Sequence, residues 1–349
     1  MTGPMPRTRD ETQPLVSVVT PFYNTDRFLA EAIESVLRQT YRNWEYLLVN
    51  NCSTDQSAQI AQRYADRDPR IRVVHNTQLL PQVENYNNAL RQISAQSKYC
   101  KIVQADDWIF ERCLEEMVRA AEQGSNVALV SSYSLYDPQP ALGSRLSVGN
   151  VGMEYTTTLV PGRDMLRRYL LDYLSVFGSP TAVMFRSSDI RATASFFHLG
   201  SPVEDIEACF DVLQRGDFAF VHQVLTFNRC EKGSTWWRLS GWDANELNKV
   251  ILATRYAPAL LSQEERASLE RRVSREHYRC LGSAVLRARP GEYWSYHKTG
   301  LASVGRRISW PRLVGSTAWA LVERIANPKA TVGEIVRALG ARNGKDAVR

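Results

Sequence analysis

Hydrophobic positions in the first third of this chain alternate between two spacings. Leu15-Val16-Ser17-Val18-Val19 is a β-branched run that stops at Thr20-Pro21, which predicts a strand followed by a breaker. Over residues 26–39 the apolar side chains are Phe28, Leu29, Ala32, Ile33, Val36 and Leu37, the spacing of one helical face, with Asp26 as its N-cap. Strands are predicted over 44–49, 71–75, 99–103 and 127–130, and helices over 57–64 and 83–93. Cys113, Leu114, Met117, Val118 and Ala121 form a further amphipathic helix, stopped by Gly124. Strands separated by helices of this length predict right-handed βαβ units. The fold class is α/β, with a Rossmann-like, mainly parallel sheet and helices on both faces.

The pattern weakens over 133–161, where Gly, Pro and Ser are frequent and loops or a flap are expected. A strand at 181–185, a helix at 205–213 and one or two strands at 218–227 follow. Beyond Trp236 the chain reads as mostly helical and rich in Arg. The expected organisation is a loose tail over 1–13, an α/β domain over 14–235 and a basic, mainly helical region over 236–349.

Composition narrows the class. The chain has 349 residues, 44% hydrophobic and 23% charged, an ordinary balance for a globular protein. Its net charge of +6 is unevenly spread: residues 231–349 carry 21 Lys and Arg against 11 Asp and Glu, while the rest carries 22 against 26. A basic final third points to an anionic partner, with anionic lipid, a lipid-linked phosphate acceptor and nucleic acid as candidates and a solvated helical face as the alternative. Arg306, Arg307 and Arg312 flank Ile308, Trp310, Leu313 and Trp319, which fits a helix lying on an anionic membrane. The six cysteines include no C-x-x-C pair and read as reduced thiols of a cytoplasmic protein. Neither a signal peptide nor a run of ~20 apolar residues is present, so the expected location is cytoplasmic, extending to the inner face of the plasma membrane.

In open α/β sheets, ligands sit at the carboxyl ends of the strands. Three polar tips lie there: Thr20 to Asn24, Asn50 to Asp55, and Asp106-Asp107. There is no G-x-G-x-x-G and no P-loop lysine, which disfavours a dinucleotide or ATPase site. Adjacent carboxylates repel unless a cation or water intervenes, so Asp106 and Asp107 are candidates for a hard divalent ion. Their alternative role is to start the next helix. None of the five histidines shows a metal-ligand or triad spacing, and His222, in a predicted strand, reads as structural before functional.

The segments VSVVTPFYN, SVLRQTYRNWEYLLVNNCSTD and QADDWIFERCLEEMV together resemble family 2 glycosyltransferases of the GT-A fold. GSPTAVMFR and a VED segment followed by FNRCEKGST extend the likeness across roughly residues 14–235. The resemblance implies an inverting transfer of a sugar from a nucleoside diphosphate sugar, UDP or dTDP type, to a hydroxyl acceptor, with Mg²⁺ or Mn²⁺ as cofactor. The setting it implies is bacterial surface polysaccharide or glycolipid synthesis, with a saccharide or lipid-linked acceptor and no nucleic-acid partner. It places Pro21 and Tyr23 at the nucleobase, Asn51 as an acceptor for a base N–H, and Asp106 and Asp107 at the metal and donor; with Glu231 at the position of the family's His, Arg229 or Lys232 would supply the positive charge for the diphosphate. Asp205, with Glu204 in reserve, would deprotonate the acceptor. Glu204 and Asp205 also suit the first turn of a helix on electrostatic grounds alone.

This sequence departs from the family at four places. Asn50 and Asn51 replace two Asp, Gln104 replaces the first Asp of D-x-D, and Glu231 stands at a usual His, with Lys232 and Gly233-Ser234 after it. Trp236 and Trp237 follow as a sugar platform or as packing. The departures motivate a rival reading, a non-catalytic relative that binds a sugar nucleotide or glycan. A nucleotidyltransferase is disfavoured because Thr20 to Asn24 lacks a Gly-rich, Lys- or Arg-bearing loop.

Overall fold

The computed structural model describes residues 13–137, 146–156, 158–172, 174–230 and 241–327. The chain divides into two compact units, Met1–Arg238 and Leu239–Arg349.

In the first unit, β1 (Val16–Phe22), β2 (Trp44–Asn50), β3 (Ile71–His75) and β4 (Tyr99–Ile102) pair in parallel in the order β3–β2–β1–β4. The helices α1 (Leu29–Leu37), α2 (Ser57–Ala65) and α3 (Gln82–Leu90) connect them. Then come β5 (Trp108–Ile109), α4 (Cys113–Ala121), β6 (Val127–Asp137), β7 (Ser147–Gly149), β8 (Leu159–Val160) and α5 (Gly162–Asp172). A 3₁₀ turn at Pro180–Ala182 leads into β9 (Val183–Arg186), α6 (Ser187–Arg191), α7 (Glu204–Leu213) and β10 (Asp217–Arg229). Among the described residues the sheet runs β3–β2–β1–β4–β9–β6–β10–β5, with β7 on β6 and β8 on β10.

The α/β class is as expected, and the sheet is mixed. β9 enters antiparallel between β4 and β6, so the parallel pairings are confined to the first four strands and to β6–β10. On one face, Val16, Val18 and Phe22 of β1 pack in a core with Leu29, Ile33 and Val36 of α1, Ile60 of α2 and Leu114 and Met117 of α4. On the other face, α3 packs on β1.

Three local expectations are corrected. β1 continues through Pro21 to Phe22, because its pairing with β4 ends at Val19 and Pro21 faces only β2 in the ladder. Asp26 does not cap α1, which starts at Leu29 after Phe28; its backbone amide instead donates to Asp55 Oδ2 at 3.0 Å. β6 runs seven residues past Val130, and its last five, 133–137, lie in a stretch expected to be loop. Ser131, Ser132 and Ser134 are buried there. Ser131 Oγ donates to the Val176 carbonyl at 2.6 Å and Ser134 Oγ bonds Thr226 Oγ1 at 2.6 Å, which is how hydroxyls enter a core.

The second unit is helical: α8 (Ala244–Leu260), α9 (Gln263–Leu286), α10 (Gly291–Ala302) and α11 (Trp310–Ala326). Ser262 and Glu265 form a reciprocal capping box at the start of α9. Tyr278, Leu281, Ala284, Tyr293 and Leu313 make its core. Gly282 lets α9 and α11 cross closely, since a Cβ there would lie 2.5 Å from the Ser316 carbonyl carbon. Among the described residues no helix is long and apolar enough to cross a membrane.

Candidate active site

The carboxyl ends of β1 and β2 are laced together. Asn24 adopts a left-handed φ of 50°, which Asn tolerates better than most residues. Its Oδ1 accepts from the Thr54 amide at 2.8 Å and its own amide donates to Ser53 Oγ at 3.1 Å. Asp55 accepts from the Ser57 amide at 2.9 Å as well as from Asp26. Burial opposes ionisation of Asp55, yet these hydrogen bonds prevail and hold its carboxyl below the usual range. It is thus a loop tether at the start of α2. Tyr23 follows β1 with 44% of its surface exposed, while Pro21 is buried within the strand.

Asn50 and Asn51 are both buried. Asn50 Oδ1 accepts from the Ser53 amide at 2.9 Å and its Nδ2 meets His75 Nδ1 at 3.1 Å. Asn51 grips the peptide groups of Leu80: Nδ2 donates to the Leu80 carbonyl at 2.8 Å and Oδ1 accepts from the Leu80 amide at 2.9 Å. This two-way bond fixes which way the amide points. Asn76 Nδ2 also donates to Asn51 Oδ1 at 2.9 Å, and Asn85 and Asn88 continue the network. The oxygen expected to meet a nucleobase N–H is therefore already accepting two bonds. The hydrogen-bonding capacity left on this side chain is an N–H.

The third tip is the turn after β4, closed by the Asp107 amide donating to the Gln104 carbonyl at 3.0 Å. Asp107 is buried and its two oxygens are surrounded by donors. Oδ2 accepts from Thr181 Oγ1 at 2.6 Å and from Asn228 Nδ2 at 2.8 Å, and Oδ1 accepts from the Arg229 amide at 2.9 Å. Burial first, and the neighbouring Asp106 charge second, push its carboxyl up to about 7. Behind Thr181 sits Lys101, fully buried in β4, whose Nζ donates to the Thr181 carbonyl and, at 3.2 Å, to the Val183 carbonyl. Desolvation lowers the Lys101 pKa.

Asp106 is the partly exposed member of the pair. Its carbonyl accepts from Arg229 Nε at 2.9 Å, and the same guanidinium bonds Glu31 at 2.5 Å and lies 4.4 Å from the Phe28 ring. Arg229 thereby fastens the acidic turn to α1. Asn228 Oδ1 is buried without a partner while its Nδ2 bonds Asp107. Among the described residues no group of three or more His, Cys, Asp or Glu could hold a metal. A hard divalent ion needs less from the protein, one or two carboxylates with water and phosphate completing the shell. Asp106, the remaining lone pair of Asp107 and the orphaned Asn228 oxygen are an all-oxygen donor set of that kind.

A second acidic cluster lies in the first turn of α7, with Glu204, Asp205 and Glu207. Asp205 Oδ1 accepts from the Ile206 amide at 2.8 Å. Burial raises the pKa of Asp205, and burial with the Asp205 charge pushes Glu204 up to about 7. The two clusters share neighbours. Tyr86 feels Asp106, Asp107 and Glu204, and Tyr136 feels Asp107 and Asp205. Burial and these carboxylates raise both phenols.

Sequence reading did not single out Tyr86, Tyr136, Thr181, Asn228 or Lys101. The Asn-rich segment at 85–88 was the one available sign of the amide network. His222 pairs with Tyr133 Oη at 3.0 Å and packs on Phe220, in keeping with a structural role. Glu231, Lys232, Gly233, Ser234, Trp236 and Trp237 lie outside the described residues.

Comparison with known proteins bears on this geometry. Residues 17–192 match the family model described as Glycosyl transferase family 2. The putative glycosyltransferase EpsE of Bacillus subtilis is 32% identical over 221 residues, 62% of this chain and 78% of EpsE. The glycosyltransferase GlyG of Streptococcus pneumoniae is 34% identical over 125 residues, and the match spans 35% of this chain and 40% of GlyG. In fold, the chain resembles S. aureus TarS solved with UDP-GlcNAc, at a TM-score of 0.58 and 17% identity over 83% of this chain and 80% of that one. It also resembles a Pyrobaculum calidifontis mannosyltransferase in complex with GDP-Man and Mn²⁺, at 0.51 and 13%, over 92% and 91% of the two chains.

Proposed function

The chain belongs to glycosyl transferase family 2 and has the GT-A fold, and from that premise we propose that it transfers a sugar from a nucleoside diphosphate sugar, UDP or dTDP type, to a hydroxyl acceptor with inversion. The observation that carries this reading is the acidic turn after β4, Asp106 and Asp107, with exposed Tyr23 on the same carboxyl-terminal edge of the sheet and Tyr86 and Tyr136 linking it electrostatically to Glu204 and Asp205. The acceptor is a saccharide or lipid-linked saccharide of a bacterial surface polymer or glycolipid, and the enzyme works in the cytoplasm at the inner face of the plasma membrane.

Tyr23 offers its ring to the base, with Pro21 also lining the base pocket. Asn51 shapes the pocket by holding Leu80 and presents an N–H to an acceptor on the base. Asp106 holds the metal, with Asp107 supplying one further oxygen. Mg²⁺ or Mn²⁺ bound there neutralises the charge that grows on the leaving diphosphate. Arg229 keeps the turn in position and places a cation beside it. Asp205 accepts the proton of the attacking hydroxyl, with Glu204 beside it as the alternative base.

A thermal-shift series with UDP, dTDP, GDP and CMP, each with and without Mn²⁺, tests this on the wild type and on Asp106→Asn. Stabilisation by one diphosphate that requires Mn²⁺ and disappears in the variant supports the reading. No shift with any nucleotide favours the non-catalytic relative instead, which the Asn50, Asn51, Gln104 and Glu231 substitutions already make the natural second reading.

A further inference from the structure

The outer side of α11 is apolar. Trp310 is 73% exposed, Val314 65%, Leu321 49%, Val322 55% and Ile325 71%. These positions recur at helical spacing on one face, and Trp319 borders them at 60% exposure. The inner side is fixed, with Leu313 and Ala320 buried and the backbone at Ser316 seated against Gly282. Exposure of the stripe therefore belongs to a docked helix. A soluble surface helix would carry polar residues there.

Two neighbouring cavities meet at Arg306, close to the start of this helix. One, of about 620 Å³, has apolar walls from Val285, Trp294, Ile308 and Leu313, with the cations Lys298, Arg306 and Arg307 also lining it. The other, of about 700 Å³, is lined by Arg271, Arg275, Arg306 and Arg312 against a single carboxylate, Glu270. An apolar hole beside a cluster of guanidinium groups matches an amphiphile with an anionic phosphate head and a hydrocarbon tail.

We propose that this face of the C-terminal unit docks on an anionic phospholipid bilayer. The apolar side of α11 enters the headgroup layer, a lipid phosphate sits against Arg306 and its neighbours, and the first part of an acyl chain occupies the apolar cavity. The charge surplus of residues 231–349 is complementary to such a surface. A second copy of the chain is disfavoured as the occupant because it would bring the same arginine clusters together. The inference rests on the transferase reading only for where the enzyme works, and its test does not use activity.

The test is co-sedimentation of the full chain with vesicles of phosphatidylcholine alone or mixed with phosphatidylglycerol, at low and at raised salt. The wild type is expected to pellet with the anionic vesicles, to pellet weakly with neutral ones, and to be released by salt. Trp310→Ser with Ile325→Ser, both exposed positions, abolishes binding with the circular dichroism spectrum unchanged. Arg306→Ala and Arg307→Ala each weaken partitioning roughly fivefold. The nucleotide shift described above stays as in the wild type in all of these variants, so a failed donor reading leaves the vesicle result intact. Wild type remaining in solution with anionic vesicles overturns the proposal, and the composition series gives that answer without any variant. So does a serine variant that binds as the wild type does, or a solution dimer that Trp310→Ser dissociates and that ignores vesicles.

Discussion

Arg229 reaches Asp107 through its backbone and Asp106 through its side chain: its amide donates to Asp107 Oδ1 at 2.9 Å and its Nε to the Asp106 carbonyl at 2.9 Å. One residue at the end of β10 thus holds both members of the acidic turn, and it gives them different work. Asp107 is buried among donors from Thr181, Asn228 and Arg229, and Asp106 is the partly exposed member of the pair.

Substitutions should separate the two. Asp107→Ala strands the donors of Thr181, Asn228 and Arg229 and is expected to cost about 3 kcal/mol of stability. Asp106→Asn, an isosteric change at a partly exposed position, costs far less and removes the Mn²⁺-dependent response to nucleotide. Urea denaturation of both variants, followed by nucleotide titration, checks the split.

Glu204 carries a pH signature. Its folded-state carboxyl is raised to about 7 from an ordinary 4.5, so its contribution to stability is present in full below the ordinary value and is lost as pH rises through 7. Glu204→Gln is expected to be more stable than the wild type at pH 8 and to lose that advantage by pH 5, read as melting temperature against pH.

If Asp205 takes the acceptor's proton, Asp205→Asn lowers kcat by roughly 10²- to 10⁴-fold with donor binding retained. Glu204→Gln keeps most of the rate. The reverse ranking in a steady-state assay would move the base to Glu204.

Tyr23 and Asn51 should differ in kind. Tyr23→Ala removes an exposed ring, leaves the melting temperature unchanged and weakens nucleotide binding by about 1 kcal/mol. Asn51→Ala frees Leu80 and Asn76 and loses about 2 kcal/mol of stability together with nucleotide affinity. Calorimetric titration beside thermal melting distinguishes a ligand contact from a scaffold.

The three polar tips were legible in the sequence because each directly follows a β-branched or apolar run, and in this architecture a strand's end is an address. The same logic failed for Ser131, Ser132 and Ser134. Hydropathy reports burial only through apolar side chains, and the Ser131 and Ser134 hydroxyls are buried on the Val176 carbonyl and on Thr226, far along the chain. Lys101 is hidden for the same reason, since the carbonyls that accept from its Nζ, at Thr181 and Val183, come from the 3₁₀ turn and the start of β9, far along the chain. Asp26 read as a cap from its position alone, and Asp55, a residue of the neighbouring loop, takes its amide. The antiparallel entry of β9 has no local signature, because strand partners are set by the tertiary fold.

The place of β9 between β4 and β6 also sets an order on biosynthesis. A nascent chain emerging from the ribosome has all four parallel strands available early, with short connections that favour rapid pairing. The residues that enclose Asp107 are translated much later, Thr181 just ahead of β9 and Asn228 and Arg229 at the end of β10. A message truncated before Thr181 would encode a chain able to begin its sheet but carrying a naked carboxylate where the acidic turn should be. The acidic turn is thus closed only once β10 has been made, well after its own residues and before the helical unit is translated.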